Sequence, residues 1–148
     1  MSSLNIAELV GKDLGKSAWF IVDQDRIRQF AEVTEDHQWI HIDEARAKAE
    51  SPYGTTIAHG FLTLSLLSKF AFELRNFPAG VTVINYGLDK VRFLNAVKVG
   101  SRIRNHAVIV AADPNGEGRT LLKTKNTVEI EGEENPAMIA ETLSLILH

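Results

Sequence analysis

The chain contains no cysteine. That excludes disulfides, thiolate zinc sites and a cysteine nucleophile, and it fits a reducing compartment. It also lacks any dense lysine/arginine cluster, and its formal net charge is -3. Both features argue against nucleic acid as the main partner, because affinity for a phosphate backbone comes from arrayed cations. Long apolar runs are missing too. The most apolar stretch starts at Ile57, is interrupted by Lys69, and contains His59, Thr63, Ser65 and Ser68. It is too short and too polar for the roughly 20 residues a membrane span needs. The opening MSSLNIAELVGKDLGKS has neither the basic head nor the continuous apolar core of a secretory signal. The expectation is a soluble cytoplasmic protein with no membrane partner.

No repeat, low-complexity tract or Pro/Gly-rich linker divides the sequence, so residues 1–148 are read as one domain. That length can bury most of its apolar surface. The 45% hydrophobic and 24% charged fractions are ordinary for a globular protein.

The local patterns suggest an order of elements. SAWFIV (17–22) has the composition of a short opening strand. Asp23 can cap a helix running to about Val33, with Ile27, Phe30 and Ala31 on one face. HQWIH follows as a connector, and Asp43 can cap a short helix, EARAKAE, ended by Ser51-Pro52. HGFLTLSLLSKFAFELR (59–75) is the longest helix candidate. It is apolar on nearly every face, the signature of a buried helix. After Gly80 the pattern changes to four β-branched, partly alternating segments separated by turn clusters, DPNGEG (113–118) and GEENP. One buried helix followed by several antiparallel strands is an α+β layer architecture. A long curved sheet wrapped around a single helix, the hot-dog arrangement, is the predicted fold.

TEDHQWIHID raises the functional question. It places Asp36 and His41 five positions apart around the apolar pair Trp39 and Ile40. D-x4-H by itself fits a loop aspartate and a surface histidine better than a site.

A wider block changes that reading. FAEVTEDHQWIHIDEARAKAESPYGTTIAHGFL (30–62) resembles the signature of the MaoC-like, R-specific enoyl-CoA hydratases: F-A-x-x-[ST]-x-D-x4-H-x-D, an alanine-rich helix, then I-x-H-G. The resemblance extends to VRFLNAVKVGSRI (91–103) and covers most of the chain. It is nearest to short single-domain members that supply (R)-3-hydroxyacyl-CoA for polyhydroxyalkanoate synthesis. The sequence departs from the family at Gln38-Trp39, where many members read Asn-Pro, at Ala96 for a proline and at Ser101 for an aspartate.

The resemblance implies reversible syn hydration of a trans-2-enoyl-CoA, with Asp36 and His41 as the catalytic pair and no metal or redox cofactor. Its chemistry requires one group to take a proton from water and another to deliver one to Cα; such groups contribute on the order of 10²–10⁴-fold each. Trp39 and Ile40 would be walls excluding bulk water. The backbone N–H of Gly60 would bind the thioester oxygen's developing charge, with His59 in a supporting role. Ser68 is a candidate pocket residue, although it and Ser65 are first of all packing hydroxyls. Lys90 and Arg92, two apart on a presumed strand, share a face that meets CoA phosphates or, more commonly, solvent. His37 and His41 have helical metal-pair spacing, but no third ligand is evident. A homodimer is expected because an isolated unit of this fold exposes a sheet edge. The rivals are an acyl-CoA thioesterase of the same fold, whose carboxylate usually sits on the central helix, and a silent acyl-thioester-binding protein.

Overall fold

The computed structural model describes residues 5–148; the first four residues of the N-terminal segment read above lie outside them. A short 3₁₀ turn, Ile6–Leu9, precedes β1 (Asp13–Lys16) and β2 (Phe20–Ile21). The helices α1 (Gln24–Thr34), α2 (Trp39–Ile42), α3 (Glu44–Glu50) and α4 (Gly60–Leu74) follow. The long strands β3 (Thr82–Phe93), β4 (Arg102–Pro114), β5 (Arg119–Ile130) and β6 (Met138–Leu147) complete the chain. The strands form one antiparallel sheet in the order β1-β4-β5-β6-β3, with β2 beside β4. This is the predicted α+β hot-dog fold. No helix among the described residues is long and apolar enough to cross a membrane.

The helix starts follow from capping. Asp23 accepts from the Arg26 amide at 2.9 Å and Asp43 from the Arg46 amide at 3.0 Å, satisfying donors with no partner inside the helix. The helix α4 lies against the sheet through Leu62, Leu66, Leu67 and Phe70, which pack with Ile103, Val128, Ile130, Met138 and Ala140. Full burial of one such side chain stabilises the fold by about 1.5–3 kcal/mol.

Three expectations need correction. SAWFIV is not a continuous strand: only Phe20–Ile21 pairs with β4, and the true opening strand is the earlier Asp13–Lys16. Gly15, at φ +84, bulges that strand, and the Asp13 carboxylate accepts its amide at 2.8 Å. The HQWIH connector contains a helical turn, α2, because the Asp43 amide bonds back to the Trp39 carbonyl at 3.0 Å. Finally, α4 is not buried on every face. Phe61 is 66% and Phe72 89% exposed in the single chain. Apolar composition told of a helix without polar partners, not of which partner covers each side.

A second, smaller core of Ile6, Ile109, Leu122 and Ile146 lies further along the sheet. Between the two cores the inward positions turn polar: Asn105 on β4, Thr124 and Asn126 on β5, Thr142 and Ser144 on β6. Asn105 donates to Asn126 at 2.9 Å, and Asn126 donates to Thr142 at 3.0 Å.

Candidate active site

Asp36 stands where α1 ends. Glu35 takes a left-handed conformation, φ 60, which turns the chain out of the helix and delivers residues 36–38 to the start of α2. The Asp36 carboxylate is exposed, with one oxygen accepting the Gln38 amide at 3.3 Å.

His41, on α2, is buried to 6% exposure. Its Nδ1 lies 2.7 Å from the Ile57 carbonyl. A carbonyl only accepts, so Nδ1 carries the hydrogen and the neutral ring keeps its lone pair on Nε2. Burial pushes the His41 pKa below its ordinary value of 6.5, opposed by the Ile57 hydrogen bond; the neighbouring His59 also lowers it and Asp36 raises it. The ring therefore stays neutral near pH 7. Its main chain is anchored as well: Gln24 on α1 donates to the His41 carbonyl at 2.8 Å, and Thr56 in turn donates to Gln24.

His59 precedes α4 and is 3% exposed. Its Nε2 donates to the Asp36 carbonyl at 3.0 Å, and its ring stacks on His41 with centroids 3.8 Å apart. The Phe30 ring lies tilted beside it, with centroids 4.9 Å apart. The His59 Nδ1 is buried without a partner.

Asp36, His41 and His59 thus each bring a donor atom within 4.8 Å of the others. Such a trio has the spacing to hold a cation, although one nitrogen of each imidazole is already engaged by a carbonyl. His37 does not join them; it pairs with Glu32 at 2.9 Å on the exposed side of α1. Gly60 opens α4 directly after His59, and the first amides of a helix have no partner within it. A Cβ at this position would meet the Phe93 ring at 3.2 Å, so the glycine allows Phe93 to lie close over the helix start. A cavity of about 220 Å³ opens here, lined by Ile57, Gly60, Thr63, Phe93 and Ala137 among others.

The remaining candidates fall elsewhere. Trp39 carries the Arg46 guanidinium over its ring at 4.2 Å, and the Ile40 carbonyl accepts the Ile57 amide at 3.1 Å. Ser68 is exposed on α4 and lines a larger cavity of about 730 Å³ between that helix and the β3–β6 region. Lys90 and Arg92 flank Val91, which packs against the core. A bulge between Asp89 and Arg92 inserts an extra residue, Lys90 sits there at φ 51, and its ammonium lies 3.7 Å from Glu141. Gln24, Thr63, Phe93 and Arg75 were missed. Nothing local in the sequence marks the first three, and Arg75 reads there as an ordinary charge at a helix end.

Residues 5–132 match the family model described as the MaoC like domain. The chain is 45% identical to Nodulation protein N of Rhizobium leguminosarum bv. viciae, covering 99% of this chain and 93% of that one. It is 42% identical to 3-hydroxyacyl-thioester dehydratase Z of Mycobacterium tuberculosis, covering 96% and 93%. Among solved structures, an (R)-hydratase from A. caviae involved in PHA biosynthesis is similar in fold, with TM-score 0.70 at 23% identity over 91% of this chain and 94% of that one. The chain belongs to the MaoC-like dehydratase family and is a hydratase/dehydratase, a lyase.

Proposed function

We propose that the protein reversibly hydrates trans-2-enoyl-CoA to (3R)-3-hydroxyacyl-CoA, with no metal or redox cofactor. The observation that carries this reading is the approach of the Asp36 carboxylate to the neutral imidazole of His41, beside the start of α4. The Nδ1–Ile57 contact leaves Nε2 of His41 free to accept a proton, which supports its part as base. Its Nε2 takes a proton from a water held by the Asp36 carboxylate, and the hydroxide oxygen bonds to Cβ. The alkene π electrons move toward the thioester, forming an enolate whose oxygen accepts the Gly60 N–H. The imidazolium then returns the proton to Cα, and both additions occur on one face. Asp36 holds the water and stabilises the imidazolium by its charge. An oxyanion donor of this kind contributes about 2.7–4 kcal/mol of transition-state stabilisation. The (3R) outcome and the CoA carrier rest on the resemblance of residues 30–62 to R-specific hydratases. That supports Asp36 as a site residue over the loop reading, and hydratase over thioesterase.

The functional unit in this reading is a homodimer. β3 is an edge strand whose apolar side chains, including Ile84, Leu88 and the 58%-exposed Tyr86, are left open in the single chain. An exposed, long, apolar edge is a pairing surface unless covered. A second copy related by a two-fold axis would cover it.

The test supplies crotonyl-CoA and longer trans-2-enoyl-CoAs, follows loss of the enoyl absorbance and titrates released thiol. Loss of absorbance without thiol supports hydration. Thiol release with the double bond intact replaces it by thioester hydrolysis, and binding with neither change replaces it by a silent acyl-thioester carrier.

A further inference from the structure

The larger cavity has an unusual far end. Gly60, Leu64, Ser68, Ala71 and Arg75 follow one another at intervals of three or four along α4, so they form a single stripe. All but Gly60 line the 730 Å³ cavity, together with Phe72, Val83 and Leu88. That volume is within the range of small-molecule pockets. The stripe leads from the helix start to its C-cap, about 22 Å at 1.5 Å per residue.

At its end stands the guanidinium of Arg75, over the polar belt of the sheet. It donates to Thr124 Oγ1 at 3.1 Å and to Ser144 Oγ at 3.4 Å. Its Nε is buried with no partner, and among the described residues no carboxylate pairs with it. Burial pushes its pKa below the ordinary guanidinium value. The acids of this part of the sheet, Asp89 and Glu141, bind Lys123 and Lys90 instead. A half-buried cation satisfied only by neutral hydroxyls is under-compensated, and a planar carboxylate is the ligand its forked donors match. A half-open groove of apolar and small polar side chains ending on such a cation suits an apolar chain with an anionic tip.

We propose that this cavity receives an acyl chain whose far end is a carboxylate, held by Arg75 beside Thr124 and Ser144, so that the preferred substrates are monothioesters of long-chain dicarboxylic acids. This deepens the hydration reading and depends on it for the thioester end alone.

Two measurements test it. In the first, trans-2-enoyl-CoAs of graded length are made in pairs, one ending in a methyl group and one in a carboxylate. At the optimal length the carboxylate-ended member is expected to have a kcat/KM roughly tenfold or more above its partner, the scale of a hydrogen-bonded ion pair. In Arg75→Met that ratio is expected to fall to about one or below, with Arg75→Lys between the two. A wild-type preference for the methyl-ended member at every length overturns the proposal, as does an unchanged ratio in Arg75→Met. The wild-type comparison decides even where a variant fails to fold. The second measurement needs no turnover: free saturated dicarboxylic acids are expected to raise the Tm of wild type more than monocarboxylic acids of the same length. Equal shifts overturn the carboxylate site. Failure of every enoyl thioester to react, with the dicarboxylate shift intact, overturns the hydration reading and leaves the anion site standing.

Discussion

The rings of His41 and His59 lie stacked, with centroids 3.8 Å apart and planes inclined by 24°, while His59 Nε2 donates to the carbonyl of Asp36. One imidazole therefore buttresses the other and at the same time fixes the backbone that carries the carboxylate. In the proposed mechanism His59 is a positioning residue whose removal should loosen both partners. His59→Ala is expected to lower kcat by roughly tenfold or more, because small misplacements of a catalytic pair are expensive. It should also move the acidic limb of the pH profile upward, since the charge of His59 helps to depress the His41 pKa. His59→Asn, which can still donate to the Asp36 carbonyl, should recover part of kcat. Equal losses in both variants with an unmoved pH profile would reduce His59 to a packing role.

Asp36→Asn and His41→Gln should each lower kcat by about 10²–10⁴-fold, the contribution typical of a positioned acid–base group. Asp36 is exposed, so its variant should melt close to wild type; His41 is buried and bonded to Ile57, so some loss of Tm is expected there. Steady-state kinetics beside a melting curve separate the two effects. A near-normal kcat in either variant removes that residue from the mechanism.

The depressed pKa of His41 has a definite sign in both activity and stability. As base the ring must be neutral, so kcat should hold as pH falls through 6.5 and decline only below it. For stability, the unfolded chain protonates this histidine near 6.5 while the folded chain resists. The unfolded state then binds more protons, and this group's contribution is lost as pH falls below 6.5 toward the folded-state pKa. Denaturant titrations of wild type and His41→Gln across that window should converge at low pH. An acid limb above 6.5 contradicts the burial argument.

The open edge of β3 should make the protein a dimer in solution. Sedimentation is expected to give twice the 16.4 kDa chain mass for wild type. Ile84→Lys, which places a charge on the apolar edge, should shift it toward monomer. A monomeric wild type would remove the edge-pairing argument.

The proposed hydration step needs no metal. Dialysis against a chelator should therefore leave turnover within about twofold of the untreated enzyme. Added zinc is expected to inhibit, because Asp36, His41 and His59 present donors within 4.8 Å and any ion there would occupy the base. Activity lost to the chelator and restored by a metal would replace the acid–base scheme with a metal-bound water.

Much of this was legible in the chain order alone. Asp23 and Asp43 announce their helices because a cap acts on amides two or three residues away. The strands after Gly80 declare themselves by β-branched content, and the D-x4-H and I-x-H-G blocks point to the candidate site through their resemblance to the MaoC-like hydratases. Other features depend on partners distant in sequence. Local periodicity cannot tell that Ala18 will take Glu73 as its acceptor rather than a sheet neighbour, which helps explain why SAWFIV pairs only at its end. Nor can it place a bulge at Lys90, which depends on β3's register against β6.

The amino-acid order by itself determined the starts of α1 and α3 and the four strand segments after Gly80, since capping and β propensity belong to single residues or near neighbours, and its family resemblance singled out Asp36 and His41 as candidates. Only the tertiary structure decided which nitrogen of His41 is free, that His59 joins it to Asp36, and that Arg75 meets Thr124 and Ser144 with no carboxylate. Those are contacts between residues 16 to 69 positions apart, and a chain acquires them only when its elements pack.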